Sequence, residues 1–391
     1  MRNTLNSKQN ISDNMSSANR TGAKKRVYVG MSGGVDSSVS AYLLKKQGYD
    51  VTGVFIKVWQ PDTTDCGWKD ERRDAMRVAA VLDIPFLTLD FSEQYKKEVV
   101  DYMIEEYRQG RTPNPDVMCN RHVKFGSFLK YALEQGVDYV ATGHYAQNTL
   151  NSSGLFELRE GDDSNKDQSY FLWTLTQDDL KHVLFPIGHI EKPEVRRIAE
   201  KAGLPVFDKK DSQGVCFIGH LDMKEFLKEY IQTKPGDVLD VDGKVIGSHE
   251  GAELYTIGER HGFTINNTGI SSEPRFIISK NIKTNTLVVA TKSEQENSVK
   301  DQIMHKLADQ VILTNISFSQ PIDHYIGKNI SARIRYRQEK QGCIIEKSSK
   351  TLQIREYTVT FDKPQKGMAE GQSVVLYDGN VCLGGGILNF I

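Results

Sequence analysis

Cysteine is scarce in this chain. Cys66, Cys119, Cys216, Cys343 and Cys382 are spread over 391 residues, too few and too scattered for a disulfide scaffold, so a reducing compartment, the cytoplasm, is expected. No apolar run approaches the ~18 residues that a membrane helix needs, which predicts a soluble protein without membrane contact. Excess charge is missing too: 50 Lys and Arg stand against 51 Asp and Glu. That balance excludes a globally basic nucleic-acid coat, while 38% hydrophobic residues exclude a wholly disordered chain. A local basic face remains open. At about 150 residues per domain, the length suggests two or three domains.

Residues 1–25 read as a flexible basic arm, rich in Ser and Asn and without hydrophobic periodicity. No function is assigned to it, and organelle import stays open because transit peptides share that composition. From Arg26 the pattern changes to alternating strands and helices: a β-rich run to Met31, a glycine turn, a helix ending near Gly48 and a β-branched strand from Val51 to Val58. Helices follow over 70–82, 92–109 and 124–134, with strands over 84–89 and 137–141. This predicts a doubly wound parallel α/β sheet over 26–232, with ligands at the carboxyl ends of its strands. After Thr233 short strands and turns take over. Asp242-Gly243 and Asp378-Gly379 mark tight hairpins, and the strands suggest a small β-rich domain over 233–295 and a C-terminal β-barrel over 296–391. The polar stretch 291–303 is the candidate linker.

Gly30-Met31-Ser32-Gly33-Gly34-Val35-Asp36-Ser37-Ser38 joins the first strand to a helix N-terminus. Adjacent glycines let backbone amides approach a ligand, and the helix end adds partial positive charge, so a phosphate fits there. The Gly-Lys-Ser/Thr ending of a Walker A loop is absent, as is the spaced-glycine dinucleotide pattern. This loop resembles the pyrophosphate loop of ATP pyrophosphatases, which cleave ATP between the α and β phosphates and adenylate an oxygen of their substrate.

Two cysteines stand out by their context. Cys119 closes Thr112-Pro113-Asn114-Pro115-Asp116-Val117-Met118-Cys119, where two prolines predict an extended, exposed loop. Arg111, Arg121, His122 and Lys124 flank it and would favour the thiolate if close in space. Asp116 is a candidate for proton transfer or substrate orientation. Cys216 lies between glycines in Asp211-Ser212-Gln213-Gly214-Val215-Cys216-Phe217-Ile218-Gly219. Cys343 and Cys382, on barrel strands, are expected to be small buried hydrophobes.

With Ala141-Thr142-Gly143-His144-Tyr145 and Lys166-Asp167-Gln168-Ser169-Tyr170-Phe171-Leu172 added, the motifs resemble those of the tRNA-specific 2-thiouridylases, in the same order and across nearly the whole chain. The resemblance implies that Gly30, Met31, Ser32, Gly33, Gly34, Val35, Asp36 and Ser37 hold ATP with Mg2+, joined by Ile56, where the family often has Met, and by Gly143. Asn114, Pro115 and Asp116 would meet the target base. His144, Lys166, Asp167 and Gln168 would touch tRNA, with Arg335, Tyr336 and Gln372 reaching it from the barrel. Cys119 would be the nucleophile and Cys216 the persulfide carrier, loaded by a persulfide donor protein or a cysteine desulfurase. A monomer is expected. Independently of the resemblance, Arg333, Arg335 and Arg337 alternate and so should share one strand face, suited to phosphates. Rival readings are another ATP pyrophosphatase acting on a small carbonyl, an RNA-binding module with a vestigial nucleotide loop, and an iron–sulfur cluster on Asp116, Cys119 and Cys216.

Overall fold

The computed structural model describes residues 24–61, 67–211, 222–266, 273–297, 309–348 and 356–390. The N-terminal part is built on β1 (Arg26–Gly30), β2 (Asp50–Lys57), β3 (Phe86–Asp90) and β4 (Tyr139–Ala141); a hairpin of β5 (Ala146–Leu150) and β6 (Phe156–Glu160) precedes β7 (Val183–Leu184). β3, β2, β1, β4 and β7 form one parallel sheet in that order. Strand order reverses between β1 and β4, which opens a crevice at their carboxyl ends. Strand periodicity divides the core: Val27, Val29, Val51 and Phe55 face the side covered by helices Val35–Lys46 and Lys192–Lys201, whereas Tyr28, Val54 and Ile56 face the other.

Two long helical runs cover that second face, residues 92–108 and 115–134. Both widen to π-type winding midway, over Lys96–Asp101 and Asn120–Ser127. Such bulges cluster at functional sites. The second run begins nine residues before the predicted helix, because Pro115 occupies its first turn and the Asn114 side chain accepts from Val117 N at 3.2 Å. The proline therefore starts a helix where the sequence suggested an extended loop.

The middle part consists of β8 (Gly236–Leu239), β9 (Val245–His249), β10 (Thr264–Ile265), β11 (Arg275–Asn281) and β12 (Thr286–Thr291), in the order β10-β9-β8-β12-β11. The expected linker begins instead with a helix over Lys292–Asn297, the described part of that stretch. The last part has β13 (Gln310–Phe318), β14 (Asn329–Arg333), β15 (Gln341–Lys347), β16 (Tyr357–Phe361), β17 (Ser373–Asp378) and β18 (Val381–Asn389). They close into a six-stranded antiparallel barrel through the β13–β18 pairing. The β5–β6 hairpin, which belongs to the N-terminal part by sequence, adds to the barrel sheet where Arg159 and Leu158 pair with Val381 and Cys382.

Candidate active site

The glycine loop leaves the sheet at the crevice. Met31 N donates to Val54 O at 2.8 Å, keeping the loop in register with β2. Gly33 has φ +74°, and a Cβ there would lie 2.3 Å from the Glu71 carbonyl oxygen, so only glycine fits. The following helix begins at Val35 with Gly34 as N-cap, and no side chain caps it. The hydroxyls of Ser37 and Ser38 turn back to Gly34 O at 3.3 and 2.7 Å. The amides of the first turn are left to an anionic guest. Gly143, just after β4, presses on this turn: a Cβ would stand 2.6 Å from Ser37 N. Gly30 faces Phe128, on the helical run that carries Cys119. Ile56 lies in β2 with its side chain in the core.

The loop is braced by residues that sequence reading missed. Lys192 pairs with Asp36 at 2.7 Å and with Asp211 at 2.8 Å. Tyr145 OH donates to Asp36 at 2.8 Å, and Lys209 Nζ donates to Gly33 O at 3.1 Å. Burial alone would raise the Asp211 carboxyl, but hydrogen bonds and charge from Lys166 and Lys192 hold it at about 2. Neither Lys192 nor Lys209 sits in a recognisable motif, and only tertiary contact reveals them.

Cys119 ends the helical turn Pro115–Cys119 and is fully buried, in the same apolar cluster as Val117, Val123 and Phe125. The exposed-loop expectation is corrected, for the capping reason given above. Among the cations near it in sequence, Arg111 Nε is committed to Glu106 at 2.7 Å, and Arg121 is exposed. Asn114 and Asp116 are half-buried, and Asn114 also approaches the Tyr170 hydroxyl. Cys216, like Cys66, lies outside the described residues. Burial pushes the thiols of Cys343 and Cys382 up to about 12, so both stay protonated.

The segment leading to Cys119 meets all three parts of the chain. Thr112 N donates to Glu370 O at 2.7 Å, Thr112 Oγ1 lies 3.2 Å from Thr256 Oγ1, and Gly371 packs on Thr112. This contact brings the barrel turn that carries Gln372 beside the Asn114 loop. Gln372 itself closes that turn, accepting from Ala369 N at 3.1 Å. Tyr336 is half-buried, its ring 4.5 Å from that of Phe171.

Several residues expected at the tRNA surface lie beneath it. His144 is 7% exposed between Phe125 and Phe185, its Nδ1 2.7 Å from Thr142 Oγ1. Burial, with Lys124 nearby, holds its imidazole well below the usual range, and it stays neutral. Asp167 is 4% exposed and accepts from Gly161 N, Ser169 N and Arg333 Nη1. Lys166 reaches Asp211 at 2.6 Å, and Gln168 accepts from Tyr145 N at 3.0 Å. The shared arginine face is also corrected. β14 ends at Arg333, which turns inward to Asp167 and Glu160; Arg335 donates to the carbonyls of Ile257 and Gly367; Arg337, at φ +64°, is the exposed one.

Comparison with known proteins gives the assembly a family. A model described as tRNA methyl transferase HUP domain matches residues 25–220, its PRC-barrel domain 224–291, and an aminomethyltransferase beta-barrel domain 308–388. The tRNA-specific 2-thiouridylase MnmA of Lactococcus lactis subsp. cremoris (strain SK11) is 46% identical over 94% of this chain and 95% of its own. The chain belongs to the tRNA-specific 2-thiouridylase family. The 2-thiouridylase of Nitrosomonas europaea is likewise 46% identical, over 93% of this chain and 98% of its own. Among solved structures, the U34-tRNA thiolase NcsA from Methanococcus maripaludis with its [4Fe-4S] cluster matches at 17% identity and TM-score 0.34, covering 57% of this chain and 70% of that one. In this 2-thiouridylase no described helix is long and apolar enough to cross a membrane.

Proposed function

We propose that this tRNA-uridine sulfurtransferase, an ATP pyrophosphatase, replaces O2 of the wobble uridine with sulfur in two steps. ATP lies on the 30–37 loop beside Ile56 and Gly143, with Mg2+ as its counter-ion. Mg2+ bound with the nucleotide would take phosphate oxygens and water among its ligands, as that ion prefers. Uracil O2 attacks the α-phosphate, pyrophosphate leaves, and C2 now carries AMP as a good leaving group. The amides at the loop helix's first turn stabilise the charge that develops on phosphate.

Sulfur then arrives from a persulfide on Cys216. Its terminal sulfur attacks C2 and expels AMP, after which Cys119 attacks the Cys216 sulfur and frees the thiolated base. Alternatively Cys119 attacks first and releases hydrosulfide, which displaces AMP. Both routes leave a Cys119–Cys216 disulfide that an outside thiol must reduce. Asn114, Pro115 and Asp116 hold the base, which must be splayed out of the anticodon stack to reach the pocket. Lys166, Gln168, Tyr336 and Gln372 contact tRNA, while buried His144 and Asp167 and half-buried Arg335 position them. The sulfur comes from a persulfide donor protein or a cysteine desulfurase, and the enzyme works as a cytoplasmic monomer.

The observation that supports this reading most is the uncapped loop helix at the strand-order reversal, in a chain nearly half identical to 2-thiouridylases over almost its full length. Mass spectrometry of nucleosides from tRNA incubated with the protein, Mg-ATP and a persulfide donor tests it. 2-Thiouridine at the wobble position is expected; sulfur elsewhere, or none, overturns it.

A further inference from the structure

Lys192 opens the helix Lys192–Lys201 and is 8% exposed, an unusual place for a lysine. Its ammonium lies 2.7 and 2.8 Å from the two oxygens of Asp36 and 2.8 Å from Asp211 Oδ1. Asp211 also takes Lys166 at 2.6 Å and Arg196 at 2.8 Å, so two carboxylates are matched against three cations. Asp36 belongs to the nucleotide loop. A parallel link runs alongside: Lys209 reaches Gly33 O at 3.1 Å and Asp74 at 2.8 Å. Residues 209–211 are thus fixed to the loop at both Gly33 and Asp36. Cys216 follows Asp211 by five positions (216 minus 211). Five extended residues span at most about 18 Å, which bounds the backbone distance from Asp211 to position 216.

Resting on the function proposed above, we infer that Lys192 is a positioning residue that keeps the chain leading to Cys216 in register with the ATP-binding loop. The chemistry needs such a link. An adenylated uracil that meets no sulfur is attacked by water: AMP leaves, the uracil oxygen is restored, and ATP has been split without product. Enzymes suppress such side reactions by holding the second reactant in place before the first step. The Asp36–Lys192–Asp211 bridge ties the nucleotide loop to Asp211, from which the chain runs on to Cys216.

The ratio of AMP released to 2-thiouridine formed reads this coupling, because loss of folded enzyme lowers both equally. Lys192→Gln cuts both links and Asp211→Asn weakens the second, and each should raise the ratio about tenfold over the wild-type enzyme. Lys192→Arg, which keeps the charge, should return it most of the way. Unchanged ratios in Lys192→Gln and Asp211→Asn would overturn the inference, as would a ratio in Lys192→Arg no better than in Lys192→Gln. Should Lys192→Gln fail to fold, Asp211→Asn and Lys192→Arg still decide it: an Asp211→Asn ratio at the wild-type value overturns it. Failure of the underlying function would look different, since the wild-type enzyme would then make no 2-thiouridine at all.

Discussion

Asp167 and Arg333 form a buried ion pair, 2.7 Å between oxygen and nitrogen, across 166 residues of sequence. It joins the N-terminal segment after β6 to the last strand residue of β14, and Tyr377 lies over the guanidinium at 5.2 Å. Removing Asp167 leaves the largely shielded Arg333 guanidinium short of one of its two carboxylate partners. Asp167→Ala should therefore lower stability by roughly 3 kcal/mol, softened where Glu160 still holds Arg333. Urea unfolding followed by tryptophan fluorescence, with Trp173 hydrogen-bonded to Ser373 of the barrel, checks this, and a midpoint unchanged from wild type would refute it.

Gly143→Ala places a methyl carbon against backbone rather than against a side chain that can swing away. The loop turn at Ser37 has to move, and ATP affinity should fall by about tenfold or more, since every phosphate contact of that turn moves with it. Calorimetric titration with ATP measures the loss. Unaltered far-ultraviolet circular dichroism should accompany it.

Cys119→Ser and Cys216→Ser should each abolish 2-thiouridine while tRNA binding, read by filter retention, persists. Residual thiolation in either variant would rule out a two-thiol mechanism. Cys343→Ser and Cys382→Ser should thiolate normally wherever the protein folds, because those thiols are buried and protonated.

Asp211 gives a pH dependence whose sign follows from its partners. Its folded carboxyl titrates at about 2, below the ordinary 3.8 of a free aspartate, so the unfolded chain binds the proton more readily. The stabilisation is present in full above pH about 4 and is lost as pH falls from there toward 2. Acid unfolding of the wild type should therefore be steeper across that window than that of Asp211→Asn. Equal slopes would show that the carboxylate is not held by Lys166 and Lys192.

The glycine loop and the alternation around it were legible because adjacent glycines after a β-branched run leave few other conformations, although the helix starts at Val35, inside the stretch to Ser38 that was read as turn. Cys119 was misread because proline was taken as a helix breaker, although at the first turn its missing amide costs nothing. The three arginines were misplaced for a related reason. Alternation fixes a face only while the strand continues, and β14 stops at Arg333. Lys192 and Lys209 carried no local signal at all, since their partners lie 156 and 176 positions away. The β5–β6 hairpin was missed because nothing in residues 146–160 announces a partner strand more than 200 residues later.

That hairpin has a consequence for how the chain can be divided. β6 owes one of its edges to β18, so a fragment ending before the last strands would present an unpaired row of amides and carbonyls to any neighbour. Attempts to express the nucleotide-handling portion by itself should yield material prone to sticking edge to edge, and a split enzyme would need both pieces present during synthesis.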